Sequence, residues 1–427
     1  MQVKLEYGKQ GYLLTLPDEY QVDVLKKPVM PIIENVWDAL NQSFSYPAGA
    51  APLETVSASK TSVCIAICDI TRPVPNGVIL PVLIKRLITS GISKERICIL
   101  VATGLHGPNE GPDLLEVVGD PWTLSHIDVV NHFARKDEDH ADLGLTANGT
   151  RVLIDRRFVE ADLKIVIGLV EPHFMAGFSG GRKLIVPGLS HAETIRRIHS
   201  NAFLGNGLAT NCNLDGNPLH MEQLEIAKLM GEVYAINVVL DDRRNVGFVN
   251  FGELVQSHHE AIAFLRMYAQ LKIDRCYKTI VTSAAGYPLD SSYYQTVKAM
   301  TGAMLAMENG GSMFVVSSCK DGLGSSEYRA AQKKLHDLGI SGFLADIAQK
   351  THADVDEWQT QMQIRAMKRC NINLFTRGLD REEKRLTCVN MVDDMETAIT
   401  KWVETCGDRT VAVIPEGPYV IPMPQED

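Results

Sequence analysis

Little in this 427-residue sequence points to a membrane, a secretory route or a nucleic acid. No apolar run approaches the ~20 residues that cross a bilayer. The opening, MQVKLEYGKQ, alternates polar and apolar residues like a first strand and lacks the apolar core of a signal peptide. Positive charge is in deficit: 42 Lys and Arg face 52 Asp and Glu. The resulting net charge of −10 and pI of about 5.7 argue against nucleic-acid and anionic-membrane partners. The nine cysteines include no Cys-x-x-Cys pair. Cys64 and Cys68 share one face of a predicted strand, a packing pattern, so all the cysteines read as reduced thiols of a cytoplasmic protein. There is no low-complexity segment and no long Gly/Ser linker, so the two or three domains that this length suggests should join directly, through a helical hinge.

What is present is an alternation of strands and helices. Apolar, β-branched runs at 62–68, 96–102 and 163–170 read as buried strands, and 78–89 has helical periodicity despite Pro81. In open α/β sheets ligands sit outside the carboxyl ends of the strands. Three such ends put Arg72, His106 and His173 on one rim of one sheet. Singly, each has a bland explanation: a loop histidine is usually a bystander, and Arg72 has Asp69 close by as an ion-pair partner. Three at three strand ends favour a site.

After an amphipathic helix at about 252–271 the pattern restarts. Strands are expected at 279–283, 313–318, 372–376 and, last, 410–414. Helices are expected from Ser291 or Ser292 through Met307, between about 326 and 369, and near 393–405. The first of these carries Tyr294, Gln295 and Lys298 near its start, with 298 on the same face as 294 and 295. The fold class is therefore α/β: two domains with mostly parallel sheets facing across a cleft, 1–270 and 271–427.

The chain is organised around 171–200, EPHFMAGFSGGRKLIVPGLSHAETIRRIHS. Glycines 177, 180 and 181 let the backbone take φ > 0 or approach a bound group closely, and Arg182 and Lys183 follow at once. Ser190 with Glu193 has the spacing of a capping box, which predicts a helix from about His191 through His199. The loop nearly matches a phosphate-cradling P-loop, but Arg182 stands where its second glycine belongs and Leu184 where its magnesium-binding hydroxyl belongs. The backbone of Ser179, Gly180 and Gly181 is thus a candidate holder for a phosphate without magnesium, and a phosphoryl-transfer enzyme is disfavoured.

These segments resemble the nickel-dependent lactate racemase family over essentially the whole chain. The shared motifs are DITRPVP at 69–75, VATGLHGP at 101–108, EPHFMAGFSGGRK at 171–183, IRRIHS at 195–200, GYPLD at 286–290, YYQTVKAM at 293–300, and Trp358. The resemblance implies a nickel-pincer nucleotide, a pyridinium sulfur-carbon-sulfur ligand that carries nickel. Lys183 falls on the lysine that joins this cofactor through a thioamide, and His199 on the histidine that completes the nickel coordination. Asp69 and Arg72 are implied to line the cofactor pocket, His106 and His173 to be the catalytic pair, and Tyr294, Gln295 and Lys298, with Arg72, to bind substrate. Ile70 and Met175 depart from the residue types expected beside that pocket, which leaves the substrate's side chain open.

The implied reaction is racemisation or epimerisation of a 2-hydroxy acid, with the α-hydrogen moving as a hydride. Two histidines suit it because their ordinary pKa of ~6.5 lies close to working pH. The partners expected are the small 2-hydroxy acid and, transiently, the enzymes that make the cofactor. An epimerase of a longer sugar acid is the alternative, ahead of a non-catalytic nickel or nucleotide carrier.

Overall fold

The computed structural model describes residues 1–425. Its packing divides the chain into two units: Val29–Ile198 with Leu214–Arg266, and Met1–Pro28 with His199–Asn213 and Met267–Asp427. The expected division at 270 differs in two places. The first 28 residues and the segment His199–Asn213 pack with the C-terminal part, so the chain crosses between units at 28/29, 198/199, 213/214 and 266/267.

In the unit built on Val29–Ile198, the strand Val63–Cys68 is apolar and buried at every position, as a strand covered on both faces must be. It lies between Ile97–Ala102 and Leu163–Leu169, both parallel to it. Asp128–Asn131 extends one side in parallel; Tyr234–Leu240 extends the other, and Val246–Glu253 closes that edge as an antiparallel hairpin partner. The helix Asn76–Thr89 keeps Pro81 inside it and buries Ile79, Leu80, Leu83, Ile84 and Leu87. Its start meets the end of the helix Pro112–Val118 so closely that a Cβ on Gly77 would lie 2.4 Å from the Gly119 carbonyl oxygen.

The other unit holds a six-stranded sheet that is parallel throughout. Its order is Asn390–Met391, Asn371–Phe375, Met307–Val316, Tyr277–Ser283, Thr410–Ile414 and Gln21–Val24. The N-terminal hairpin Gln2–Leu5 with Tyr12–Thr15 packs Val3, Leu5 and Leu14 onto the core formed by Val281, Phe314, Val316 and Val413. The expected last strand has a successor: Ile421–Pro424 pairs in parallel with Gln270–Ile273, which also ends the helix Leu254–Ala269 slightly earlier than expected. The long helix Ser326–Ala348 is interrupted at Gly339, at φ 66°.

The helix after the glycine-rich loop runs Ala192–Ile198, but not from a serine capping box. The Ser190 hydroxyl donates instead to the Ile185 carbonyl at 3.0 Å. His191 is the cap: its carbonyl accepts from the Ile195 N–H, and its ring Nδ1 accepts from the Glu193 N–H at 3.1 Å.

Candidate active site

Three loops leave the carboxyl ends of the adjacent parallel strands Val63–Cys68, Ile97–Ala102 and Leu163–Leu169, and these carry Asp69 and Arg72, His106, and Glu171 and His173. Asp69, 6% exposed, uses both carboxylate oxygens. Oδ1 accepts from the Thr71 hydroxyl at 2.6 Å, and Oδ2 meets His106 Nδ1 at 2.6 Å. Burial works to raise the Asp69 pKa; the His106 contact, the Thr71 hydroxyl and Arg72 outweigh it and hold the carboxyl below its ordinary range. Because a carboxylate only accepts, His106 Nδ1 carries a proton, and in the neutral ring Nε2 keeps its lone pair. The His106 side chain is 63% exposed, so that nitrogen is within reach of a ligand.

His173 is set the other way. It sits in a two-residue hairpin, paired with Gly177, and its Nδ1 accepts from the N–H groups of Met175 and Ala176 at 3.3 and 3.2 Å. A ring nitrogen that accepts has no proton, so in the neutral ring the proton is on Nε2. In their neutral forms the two rings thus differ: His106 keeps its lone pair on Nε2, and His173 carries its proton there.

Arg72 reaches across to the loop that carries Glu171. Its Nε lies 3.6 Å from Glu171 Oε2 and its Nη1 donates to the Thr71 carbonyl. A partly exposed pair at that distance is worth only ~0–1 kcal/mol. Beneath Asp69, burial pushes the Cys68 thiol up to about 11, which leaves it chemically idle.

The glycine-rich loop is stapled back to its strand. The Ser179 hydroxyl donates to the Leu169 carbonyl at 2.7 Å and accepts from the Glu171 N–H at 2.8 Å, while the Ser179 N–H donates to the Glu171 carbonyl. Asn217 Nδ2 holds the Met175 carbonyl and His258 Nε2 the Ser179 carbonyl. Gly180 and Gly181 lie at φ 78° and 50°, where a side chain is strained. A Cβ on Gly180 would meet Val170 at 2.8 Å, and one on Gly181 the His258 ring at 2.9 Å. A 3₁₀ turn, Gly181–Leu184, follows in place of the α-helix that a P-loop opens. Within it Arg182 and Leu184 are buried and Lys183 is half-buried.

The residues expected from the other unit form a second group. The helix Tyr293–Ala303 begins with Tyr294, Gln295 and, one turn on, Lys298. The Gln295 side-chain oxygen is buried without a hydrogen-bond partner among the described residues. His199, 9% exposed, packs its ring against Trp358 at a centroid distance of 4.7 Å. Trp358 Nε1 in turn donates to the Tyr294 hydroxyl at 3.4 Å. Trp358 thus links His199 to Tyr294, a role the sequence motif alone did not convey; Glu171 and Arg182 were likewise not singled out for their own contacts.

Each group by itself carries residue types that the implied nickel-pincer nucleotide would need. Among the described residues no group of three or more His, Cys, Asp or Glu could hold a metal, so nickel there would rely on donors brought by its own ligand plus one imidazole. Lys183 offers an amine on the half-buried side of its turn. The N–H groups of Gly180 and Gly181 make no hydrogen bond among the described residues, which suits a phosphate. No helix of the described residues is long and apolar enough to cross a membrane.

The lactate racemase N-terminal domain family matches residues 7–211, and the lactate racemase C-terminal domain family residues 274–422. The curated lactate racemase of Thermoanaerobacterium thermosaccharolyticum is 28% identical over 98% of both chains, and that of Lactiplantibacillus plantarum 30% identical over 90% of both. The solved lactate racemase apoprotein from T. thermosaccharolyticum superposes with a TM-score of 0.92 at 27% identity, covering all of both chains. A Thermotoga maritima protein of known structure, at TM-score 0.69 and 17% identity over 93% of this chain and all of that one, shares the fold alone. The chain belongs to the lactate racemase family, a family of isomerases.

Proposed function

We propose that the protein interconverts the enantiomers of a small 2-hydroxy acid, lactate or a close relative, with a nickel-pincer nucleotide as cofactor. The observation that carries the reading is the 2.6 Å contact between Asp69 and His106, beside Arg72 at the carboxyl end of a central strand, in a chain of this family. Beside an ionised carboxylate the α-hydrogen is too weakly acidic for a side-chain base to remove as a proton. When bound, the cofactor supplies an electrophilic carbon that accepts this hydrogen with its electron pair and gives it back.

The protein's own groups do the rest. His106 Nε2, the lone-pair nitrogen of the neutral ring whose tautomer the Asp69 contact on Nδ1 fixes, takes the hydroxyl proton as the α-carbon flattens to a keto acid. His173 returns a proton to the oxygen for the opposite hand, and the two exchange roles in the reverse direction. For His173 to act as the base its proton moves to Nδ1, which gives up the two long contacts to Met175 and Ala176. Arg72 and Lys298 hold the substrate carboxylate, with Tyr294 and Gln295, whose amide oxygen has no partner among the described residues, as neutral hydrogen-bonding groups. Lys183 holds the cofactor through a thioamide, His199 gives nickel its protein ligand, and Asp69 and Arg72 line the cofactor. Ser179 contributes by fixing the loop rather than by touching phosphate, since its N–H and hydroxyl are both engaged.

The test is co-expression with the enzymes that make the cofactor, intact-mass and nickel measurement, and a panel of 2-hydroxy acids followed by chirality. Mass gain located on Lys183 and loss of optical activity in lactate are expected. Loaded protein that leaves every acid's chirality intact overturns the proposal and leaves a carrier. Turnover of polyhydroxy acids with little on lactate moves the substrate to a longer sugar acid.

A further inference from the structure

Arg182 is 1% exposed, an unusual place for a guanidinium. Its Nη2 donates to the Ala176 carbonyl at 2.7 Å, so the side chain folds back beneath its own loop. Nε and Nη1 have no hydrogen-bond partner among the described residues. Burial alone pushes its pKa down, to about 9, and no carboxylate opposes the shift. Two buried imidazoles lie close enough to feel its charge. His258, on the helix Leu254–Ala269, packs its ring against Gly181; His220, on the helix Pro218–Lys228, is 5% exposed with Nδ1 unpartnered. Burial first, and then the charge of Arg182, hold both rings neutral, with His220 lowered to about 3. A positive charge with no anionic partner among the described residues therefore follows directly on the turn whose Gly180 and Gly181 N–H groups make no hydrogen bond among them. Keeping such a charge buried and unpaired is costly, and a fold retains it where something negative comes to it.

We infer that Arg182 is the buried countercharge for an oxyanion held at the Gly180–Gly181 turn, and that this oxyanion is a phosphate monoester. The inference rests on the reading of the chain as a nucleotide-dependent racemase and adds the residue that would give the cofactor's phosphate its affinity. Lys183 is then joined to the cofactor one residue away from the charge that holds its far end.

Thermal unfolding of the cofactor-free protein, titrated with inorganic phosphate at constant ionic strength set with sodium chloride, tests this without any activity measurement. Wild type is expected to melt higher as phosphate rises, by mass action. Arg182→Met is expected to melt without phosphate at the wild-type temperature or above, because an unpaired buried charge has been replaced by an apolar chain of similar length. Its apparent phosphate affinity should fall at least ~10-fold. Arg182→Gln makes the same comparison should the methionine variant fail to fold. Arg182→Lys should retain part of the response. The inference is overturned by a wild type indifferent to phosphate, by a variant that melts far lower yet responds to phosphate like wild type, or by lactate replacing phosphate as the stabilising anion. A phosphate response of the expected kind in a protein that, once loaded, racemises nothing leaves this site standing and removes the proposed activity.

Discussion

The two parallel sheets share a plan yet treat their rims differently. In each, a central strand is flanked by the next parallel strand on one side and a later one on the other: Val63–Cys68 between Ile97–Ala102 and Leu163–Leu169, and Tyr277–Ser283 between Met307–Val316 and Thr410–Ile414. Such switch points are where open α/β sheets take ligands. At the first, Asp69, Arg72 and His106 stand at the mouth, with His106 largely exposed. At the second, the chain's own N-terminal turn fills the mouth. Gly8 donates to Asp290 Oδ2 at 2.7 Å, Tyr287 donates to the Gly8 carbonyl, and the fully buried Asp290 carboxylate also accepts from the Ser318 N–H. Equal topology therefore does not make equal sites. What decides is whether the fold itself consumes the polar groups that the strand ends present.

The sharpest way to test this contrast is at the open rim. His106→Ala or His173→Ala should lower the racemisation rate of loaded protein ~10²–10⁴-fold, with cofactor mass and nickel content unchanged. Loss of less than that from either would mean its ring is not handling the hydroxyl proton. Asp69→Asn should cost ~10–100-fold by releasing the His106 tautomer, visible as a changed ring-nitrogen signal in NMR. This same carboxylate gives a pH test. Its folded pKa is depressed, so its contribution to stability is present above the ordinary carboxylate range and is lost as pH falls through the folded value. Wild type and Asp69→Asn should accordingly differ in urea midpoint at neutral pH and converge in acid.

At the filled rim the effect should appear in stability instead. Asp290→Ala removes the acceptor for two backbone N–H groups and should cost about 1–3 kcal/mol in urea unfolding, with faster proteolytic cutting within residues 6–11. If that variant melts normally while losing racemisation, Asp290 serves the reaction rather than the fold and the contrast fails. Smallest is Gln295→Leu, which should raise KM ~5–10-fold with little change in kcat, the worth of one hydrogen bond to a bound substrate.

Much of this arrangement is legible in the residues. Val63–Cys68, Ile97–Ala102, Leu163–Leu169 and Tyr277–Ser283 announce themselves as apolar, β-branched runs, and the loops after the first three carry the residues that the structure brings to one rim. What escaped depends on distant partners. Gln21–Val24 is short and half-polar, and becomes an edge strand only beside Thr410–Ile414, nearly four hundred residues on. That pairing is also what carries the N-terminus out of the expected first domain. The Ser190–Glu193 spacing misled because the serine found a nearer acceptor in Ile185 and a histidine ring took over the cap. Tyr234–Leu240 did carry a readable apolar run, and its hairpin turn at 241–245 the polar residues of a turn. Arg182 and Lys183 look alike in sequence; only packing sends one inward and leaves the other half-buried.

The most direct measurement follows the hydrogen itself. Lactate carrying deuterium at the α-carbon, racemised by cofactor-loaded protein in ordinary water, should give the opposite enantiomer with its deuterium retained, because the hydrogen travels with its electron pair and never meets solvent. Product of the opposite hand bearing solvent hydrogen at that carbon would contradict the account, since it would mean that the hydrogen left as a proton.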